Sequence, residues 1–331
     1  MKLARFPRRR YTEGPTPITH LSRFSKALGG PNIYLKRDDL LGLAGGGNKT
    51  RKLEFLVADA LAKGADTLIT CGGIQSNHCR LTLAAAVQEG LQCRLILSEI
   101  DPGSYSAETS GNVLLYKLLG VEKVKLVPWG TDLMAQLQNA AAEAAAEGRK
   151  PYIIPLGGSN PLGALGYIAC AEEIMGQTFE TGLDIQHVVF ACGSAGTHSG
   201  LLLGLLGNNC QIPVIGISVL YPKAVLETRI AELVEQTATF IGLDIKVSRK
   251  DIVCFDEYIG PGYTRSTDAM LEAVKWLAGT EGVLLDPTYT GKGMAGLIDL
   301  VRKGYFAKDE NVLFLHTGGA PSLYARGSWF A

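Results

Sequence analysis

Short apolar, β-branched runs alternate with helix-patterned stretches along almost the whole chain, and this rhythm limits the fold more than any other feature. Runs at 32–36, 67–71, 93–97, 123–127, 152–155, 187–191, 214–219 and 312–316 read as strands. Helical patterns cover 49–63, 77–89, 132–147, 162–175, 224–239 and 268–278. Most helical stretches are closed by a glycine, among them Gly64, Gly90, Gly120, Gly148 and Gly242, because glycine adopts the positive φ that ends a helix without strain. Strand–helix alternation of this kind predicts an α/β protein with parallel sheets covered by helices. With 331 residues, 47% of them hydrophobic, the chain can build two such cores. Glycine-rich breaks at 45–47 and 157–158 are candidate crossings between them. They predict two open parallel-sheet α/β domains: a smaller one over 49–157, and a larger, discontinuous one from 1–48 and 158–331.

Formal net charge is zero and neither half carries a charge run, which argues against nucleic acid or a membrane surface as the main partner. No apolar run reaches transmembrane length. The basic stretch 1–10 has no apolar region behind it, and Pro7 interrupts any amphipathic helix there, so it does not read as a targeting segment. The seven cysteines are odd in number with no C-x-x-C pair, the pattern of reduced, buried thiols in a cytoplasmic protein. The five histidines lack ligand spacing, and no metal site is expected.

Parallel sheets place ligands in the loops beyond the carboxyl ends of their strands, and four places stand out. Gly45-Gly46-Gly47-Asn48-Lys49-Thr50 suggests a phosphate-binding P-loop, but that motif needs glycine immediately before the lysine, where Asn48 stands. It leaves Lys49 at a glycine-rich turn, either solvated or placed for covalent chemistry. After the 67–71 run, Gly72-Gly73-Ile74-Gln75-Ser76-Asn77-His78 opens a helix. Ser76 or Asn77 suits an N-cap, and four polar residues in succession suit a bound carboxylate. After 187–191 comes Cys192-Gly193-Ser194-Ala195-Gly196-Thr197, whose spacing is not the dinucleotide G-x-G-x-x-G. It reads as a cup for one phosphate, or as a structural turn. Near the end, Tyr289 and Thr317 lie just past apolar runs, although a core tyrosine is the commoner use of such a residue. An amine, a monophosphate cup and a carboxylate site together fit pyridoxal phosphate acting on amino acids.

These motifs, with Lys36-Arg37-Asp38-Asp39, Arg51-Lys52-Leu53-Glu54, Gly260-Pro261-Gly262-Tyr263 and Asp286 to Lys292, resemble the tryptophan-synthase-β-like (fold type II) pyridoxal-phosphate enzymes over nearly the whole chain. The resemblance is to the branch holding 1-aminocyclopropane-1-carboxylate deaminase and D-cysteine desulfhydrase. It implies Lys49 as the covalent attachment point, and a phosphate held by Asn48, Lys52 and Gly193, Ser194, Ala195, Gly196 and Thr197. Ser76, Asn77 and His78 would meet the substrate carboxylate, with Asn77 close to the cofactor ring; Tyr263 and Tyr289 would line the substrate side. Lys49, Ser76 and Tyr289 are the candidates for moving the Cα proton. Thr290 and Thr317 stand where the cyclopropane deaminases carry Glu and Leu, which points to β-elimination of D-cysteine to pyruvate, sulfide and ammonia. L-cysteate, another β-substituted alanine, a deaminase activity and a non-catalytic phosphometabolite-binding protein are the alternatives. Arg265 departs from the branch pattern; a surface position is expected, and an inward one would favour an anionic substrate. A cytoplasmic homodimer follows from the resemblance alone.

Overall fold

The computed structural model describes residues 1–105 and 110–330. Its strands are β1 Ile18–His20, β2 Asn32–Lys36, β3 Thr67–Gly73, β4 Gln92–Glu99, β5 Lys123–Pro128, β6 Pro151–Ile153, β7 His187–Cys192, β8 Val214–Ser218, β9 Val253–Phe255 and β10 Asn311–Leu315. They form a six-stranded sheet, β1-β2-β10-β7-β8-β9, and a four-stranded sheet, β5-β4-β3-β6. Every pairing is parallel except β1 with β2. The chain is thus an α/β protein with two parallel-type sheets. Strands β1 and β9 are the two that sequence pattern missed. Each is three residues long and lies at a sheet edge, too short for alternation to show.

Interior strands β7 and β8 are buried almost throughout, which is why they read as continuous apolar runs. One apolar core, containing Phe190, Leu203 and Val214, packs one face of the larger sheet; a second, containing Val189, Ile217 and Phe314, packs the other. Alternate residues of β7 point to opposite cores, as strand geometry requires. Further cores cover the two faces of the smaller sheet. No helix among the described residues is long and apolar enough to cross a membrane.

The helix Lys49–Ala62 starts directly after Gly45, Gly46 and Gly47, all at positive φ. A Cβ on Gly46 would lie 1.7 Å from the Asp39 carbonyl oxygen, so only glycine fits this turn. The same helix crosses the helix Pro161–Thr181 at Gly166, where a Cβ would come within 2.3 Å of the Arg51 carbonyl. A buried ionic cluster then locks the crossing. Arg51 donates to both oxygens of fully buried Asp38, each at 2.8 Å, and to Glu173 at 2.8 and 3.0 Å. Lys36 also pairs with Glu173, and the Tyr167 hydroxyl donates to Asp38 at 2.6 Å. Burial pushes the Glu173 carboxyl up, but Arg51 and Lys36 outweigh it and bring it to about 2. Every charge in the cluster is matched, as burial demands.

Candidate active site

The two sheets face each other across a cleft enclosing about 860 Å³, counted to its open mouth. Three chain segments that sequence pattern singled out separately meet there. Asn48 and Lys49 come from the glycine turn, Ser76, Asn77 and His78 from the loop after β3, and Gly193, Ser194, Ala195 and Thr197 from the loop after β7. Tyr263, Tyr289 and Thr317 close the remaining side. Gly196 and Lys52 stand just behind this lining: a Cβ on Gly196 would be 2.7 Å from Lys52 Nζ. Thr290 is turned away, its hydroxyl spent on Asp286 at 2.9 Å. Arg265 is also outside, paired with Asp101 at 2.6 Å on the surface.

Each loop is built by local rules. The Ser76 hydroxyl oxygen accepts from the Cys79 amide at 3.1 Å and caps the helix Asn77–Gln88, which leaves the hydroxyl proton free for a ligand. After β7 the chain turns through Ala195 at φ +68 into the helix Gly196–Leu206. That left-handed alanine costs about 1 kcal/mol and sets the first free amides of the helix against the cleft. Asp286 accepts from the amides of Thr288, Tyr289 and Thr290 at 2.9, 3.0 and 2.8 Å and so fixes Tyr289, whose hydroxyl is hydrogen-bonded to that of Tyr263.

Electrostatically, one end of the cleft is cationic. Lys52 Nζ reaches only the Gly157 carbonyl and Ser159 hydroxyl, at 3.1 and 3.3 Å, and Lys49 Nζ reaches Asn48 Oδ1 at 3.0 Å. Among the described residues no carboxylate lies within ion-pair distance of either amine. Burial lowers Lys49 to about 8, against a counter-pull from Cys192 and Asp286; burial and then Lys49 hold Lys52 well below the usual lysine range. Burial, Lys49 and Lys52 keep His78 neutral. Thr70 donates to the Ile154 carbonyl at 2.9 Å, so its bond to His78 Nε2 takes the ring proton and leaves buried Nδ1 as an unpartnered acceptor. On the other wall, burial raises Tyr263 to about 12 and holds Tyr289 well above the usual tyrosine range, so both are protonated at neutral pH.

Pyridoxal phosphate fits these groups. The buried Lys52 amine without a carboxylate, a helix N-terminus and a loop whose Gly196 lies against Lys52 Nζ form a cup for a phosphate dianion, with the Lys49 amine beside it for a covalent link. Asn48 joins that cup, donating from Nδ2 to Thr197 Oγ1 at 3.1 Å.

Trp129, Cys192, Leu156 and Leu220 also line the cleft and escaped sequence reasoning. Trp129 and Cys192 end or follow predicted strands, a signal that could have found them. Trp129 stacks on Tyr263, ring centres 5.6 Å apart.

The pyridoxal-phosphate dependent enzyme family model matches residues 9–318. The chain is 48% identical over 326 residues to D-cysteine desulfhydrase of Salmonella paratyphi C (strain RKS4594), covering 98% of this chain and 97% of that one. Identity and coverage are the same for the Salmonella typhimurium (strain LT2) enzyme of that name, at 48%, 98% and 97%. Among solved structures, an ACC deaminase homologue superposes with a TM-score of 0.88 at 37% identity, over 99% of this chain and 96% of that one. O-ureido-L-serine synthase shares the fold at a TM-score of 0.66 and 19% identity, over 95% and 92% of the two chains. Cleft chemistry and full-length similarity converge: the chain belongs to the fold type II pyridoxal-phosphate dependent enzymes, and its cofactor is pyridoxal phosphate.

Proposed function

We propose that the protein is a carbon–sulfur lyase that converts D-cysteine and water to pyruvate, sulfide and ammonia. The observation that carries this reading is the 48% identity, over 98% of the chain, to enzymes named D-cysteine desulfhydrase. In it, Lys49 holds the cofactor covalently, while Asn48, Lys52 and the loop from Gly193 to Thr197 hold its phosphate. Thr317 and Asn77 face its ring. Bound and linked to the substrate amine, the cofactor supplies a sink for the electron pair left at Cα.

The chain's own groups divide the remaining work by their proton affinities. Lys49, lowered to about 8 by burial, takes the Cα proton. Tyr289, kept protonated by burial, donates toward the sulfur as the Cβ–S bond breaks and sulfur leaves with the bonding pair. Ser76 and Asn77 offer donors to the substrate carboxylate; Tyr263 and Trp129 wall the side-chain end. His78 Nδ1, an acceptor, suits an amine or water better than the carboxylate. Released 2-aminoacrylate then hydrolyses in water to pyruvate and ammonia.

L-cysteate is the second reading for this cleft. Its motive was an inward Arg265, and the surface pair with Asp101 gives that motive no support. The proposed enzyme works as a cytoplasmic homodimer divided at 48/49 and 157/158 into a smaller and a larger domain, and sedimentation of the purified protein tests the dimer. Activity is tested by measuring pyruvate, sulfide and sulfite from D-cysteine, L-cysteine and L-cysteate. Sulfide and pyruvate from D-cysteine are expected. Lys49→Ala is expected to lose the visible absorbance of bound cofactor and roughly 10²–10⁴-fold in rate. Preferential sulfite release from L-cysteate would replace the substrate, and an active Lys49→Ala would end the reading.

A further inference from the structure

Behind the cleft, Arg80 is completely buried, and no carboxylate among the described residues lies within ion-pair distance. Such a guanidinium is costly to bury, so what it touches is informative. Nη1 donates to Asn77 Oδ1 at 2.8 Å and to Asn112 Oδ1 at 2.6 Å, Nη2 donates to the Gly46 carbonyl at 2.6 Å, and Nε has no partner. Burial lowers the group only to about 10, so it stays charged at neutral pH.

A guanidinium only donates, so the atom of Asn77 that faces Arg80 must be oxygen. The same holds for Asn112, whose Nδ2 is thereby turned toward the Gln75 carbonyl at 2.8 Å and toward Asn77 Oδ1 at 3.0 Å. Both lone pairs of Asn77 Oδ1 are then consumed. Its amide cannot flip, and Nδ2 is the only hydrogen-bonding atom it has left to present to the cleft. Through Gly46, Arg80 also ties the Asn77 helix to the turn that delivers Lys49.

We infer that Arg80 is a positioning residue, which fixes the Asn77 amide as a hydrogen-bond donor to an electron-rich oxygen of the bound cofactor. This rests on the reading that places Asn77 against the cofactor, and the test separates the two. Apo-protein prepared from the holoenzyme is titrated with pyridoxal phosphate for wild type, Arg80→Met, Arg80→Lys, Asn77→Ala and the Arg80→Met/Asn77→Ala double variant. Thermal melts confirm that each is folded. Arg80→Met and Asn77→Ala are each expected to weaken cofactor binding about tenfold, the scale of one charge-assisted hydrogen bond. The double variant should bind within about twofold of Asn77→Ala alone, and Arg80→Lys, which keeps a charged donor, should recover most of the loss. If Arg80→Met does not fold, Arg80→Gln, whose amide dictates no orientation to Asn77, takes its place with the same expectations. Binding by the Arg80 variant within about twofold of wild type, losses that add in full, or a Lys variant no better than Met, would each overturn the inference. Undiminished binding by Asn77→Ala would overturn the placement of Asn77 first, and the inference with it.

Discussion

Lys49 was visible in the sequence as the residue after a glycine run, but its reactivity belongs to its surroundings. Burial lowers it to about 8, while Cys192 and Asp286 pull it back toward the ordinary lysine value of 10.5. Below that midpoint the amine carries a proton and is no nucleophile; above it, the free lone pair is available. Covalent uptake of pyridoxal phosphate by the apo-protein is therefore expected to speed up as pH rises through about 8 and to level off beyond. Stopped-flow absorbance checks this, and a flat profile between about pH 7 and 9 would refute it. Trp129 and Arg80 were missed for different reasons: the strand end beside Trp129 marked a loop but not its partner. The tryptophan is brought to Tyr263 only by tertiary contact, and an arginine in Asn77-His78-Cys79-Arg80-Leu81 reads as one more solvated charge on a helix.

At the scale of elements, the helix Lys49–Ala62 is held by the ionic cluster rather than by its own propensity. Its N-terminal residues are placed by Gly46 below and Gly166 across. Its register is fixed by Arg51 on Asp38 and Glu173. Asp38→Asn leaves Arg51 under-matched in a buried setting, and a loss of about 3–5 kcal/mol in unfolding free energy is expected from urea titration. Glu173 adds a pH dependence. Its carboxyl titrates at 4.5 when unperturbed and at about 2 in the folded protein, so the folded state binds this proton less readily than the unfolded one. The stability it contributes is complete above about pH 4.5 and drains away as pH falls toward 2. Glu173→Gln should flatten that segment of the acid-stability curve, and an unchanged slope would remove Glu173 from the account. The motif Lys36-Arg37-Asp38-Asp39 was legible as a signature, but its partners Tyr167 and Glu173, over a hundred residues away, were not.

Across the whole molecule, the cleft has one wall from each sheet, and few side chains join them near the mouth. Trp129, just past β5 of the smaller sheet, stacks on Tyr263 of the opposite wall. Arg265 and Asp101 form an ion pair nearby, with both side chains exposed. An aromatic pair contributes roughly 0.5–1.5 kcal/mol, whereas exposed ion pairs contribute little. Trp129→Ala should therefore raise KM for the substrate by about twofold to tenfold with kcat less affected, and Arg265→Ala should change neither. Equal effects of the two in steady-state kinetics would refute this ranking. The strand–helix rhythm made the parallel architecture readable, but it carries no record of which loops face each other, since that is decided by packing between distant segments. The order of strands in the larger sheet has a further consequence, for synthesis. Strands β3 to β6 are consecutive and can pair as the nascent chain leaves the ribosome. β10, the last strand in chain order among the described residues, lies between β2 and β7, so the larger sheet stays split until β10 itself has been made. Loop closure over that span is slow, and the gap leaves two unpaired strand edges waiting. The cleft, lined by Lys49 before the first of these late pairings and by Thr317 just after β10, can only close once β10 has been made.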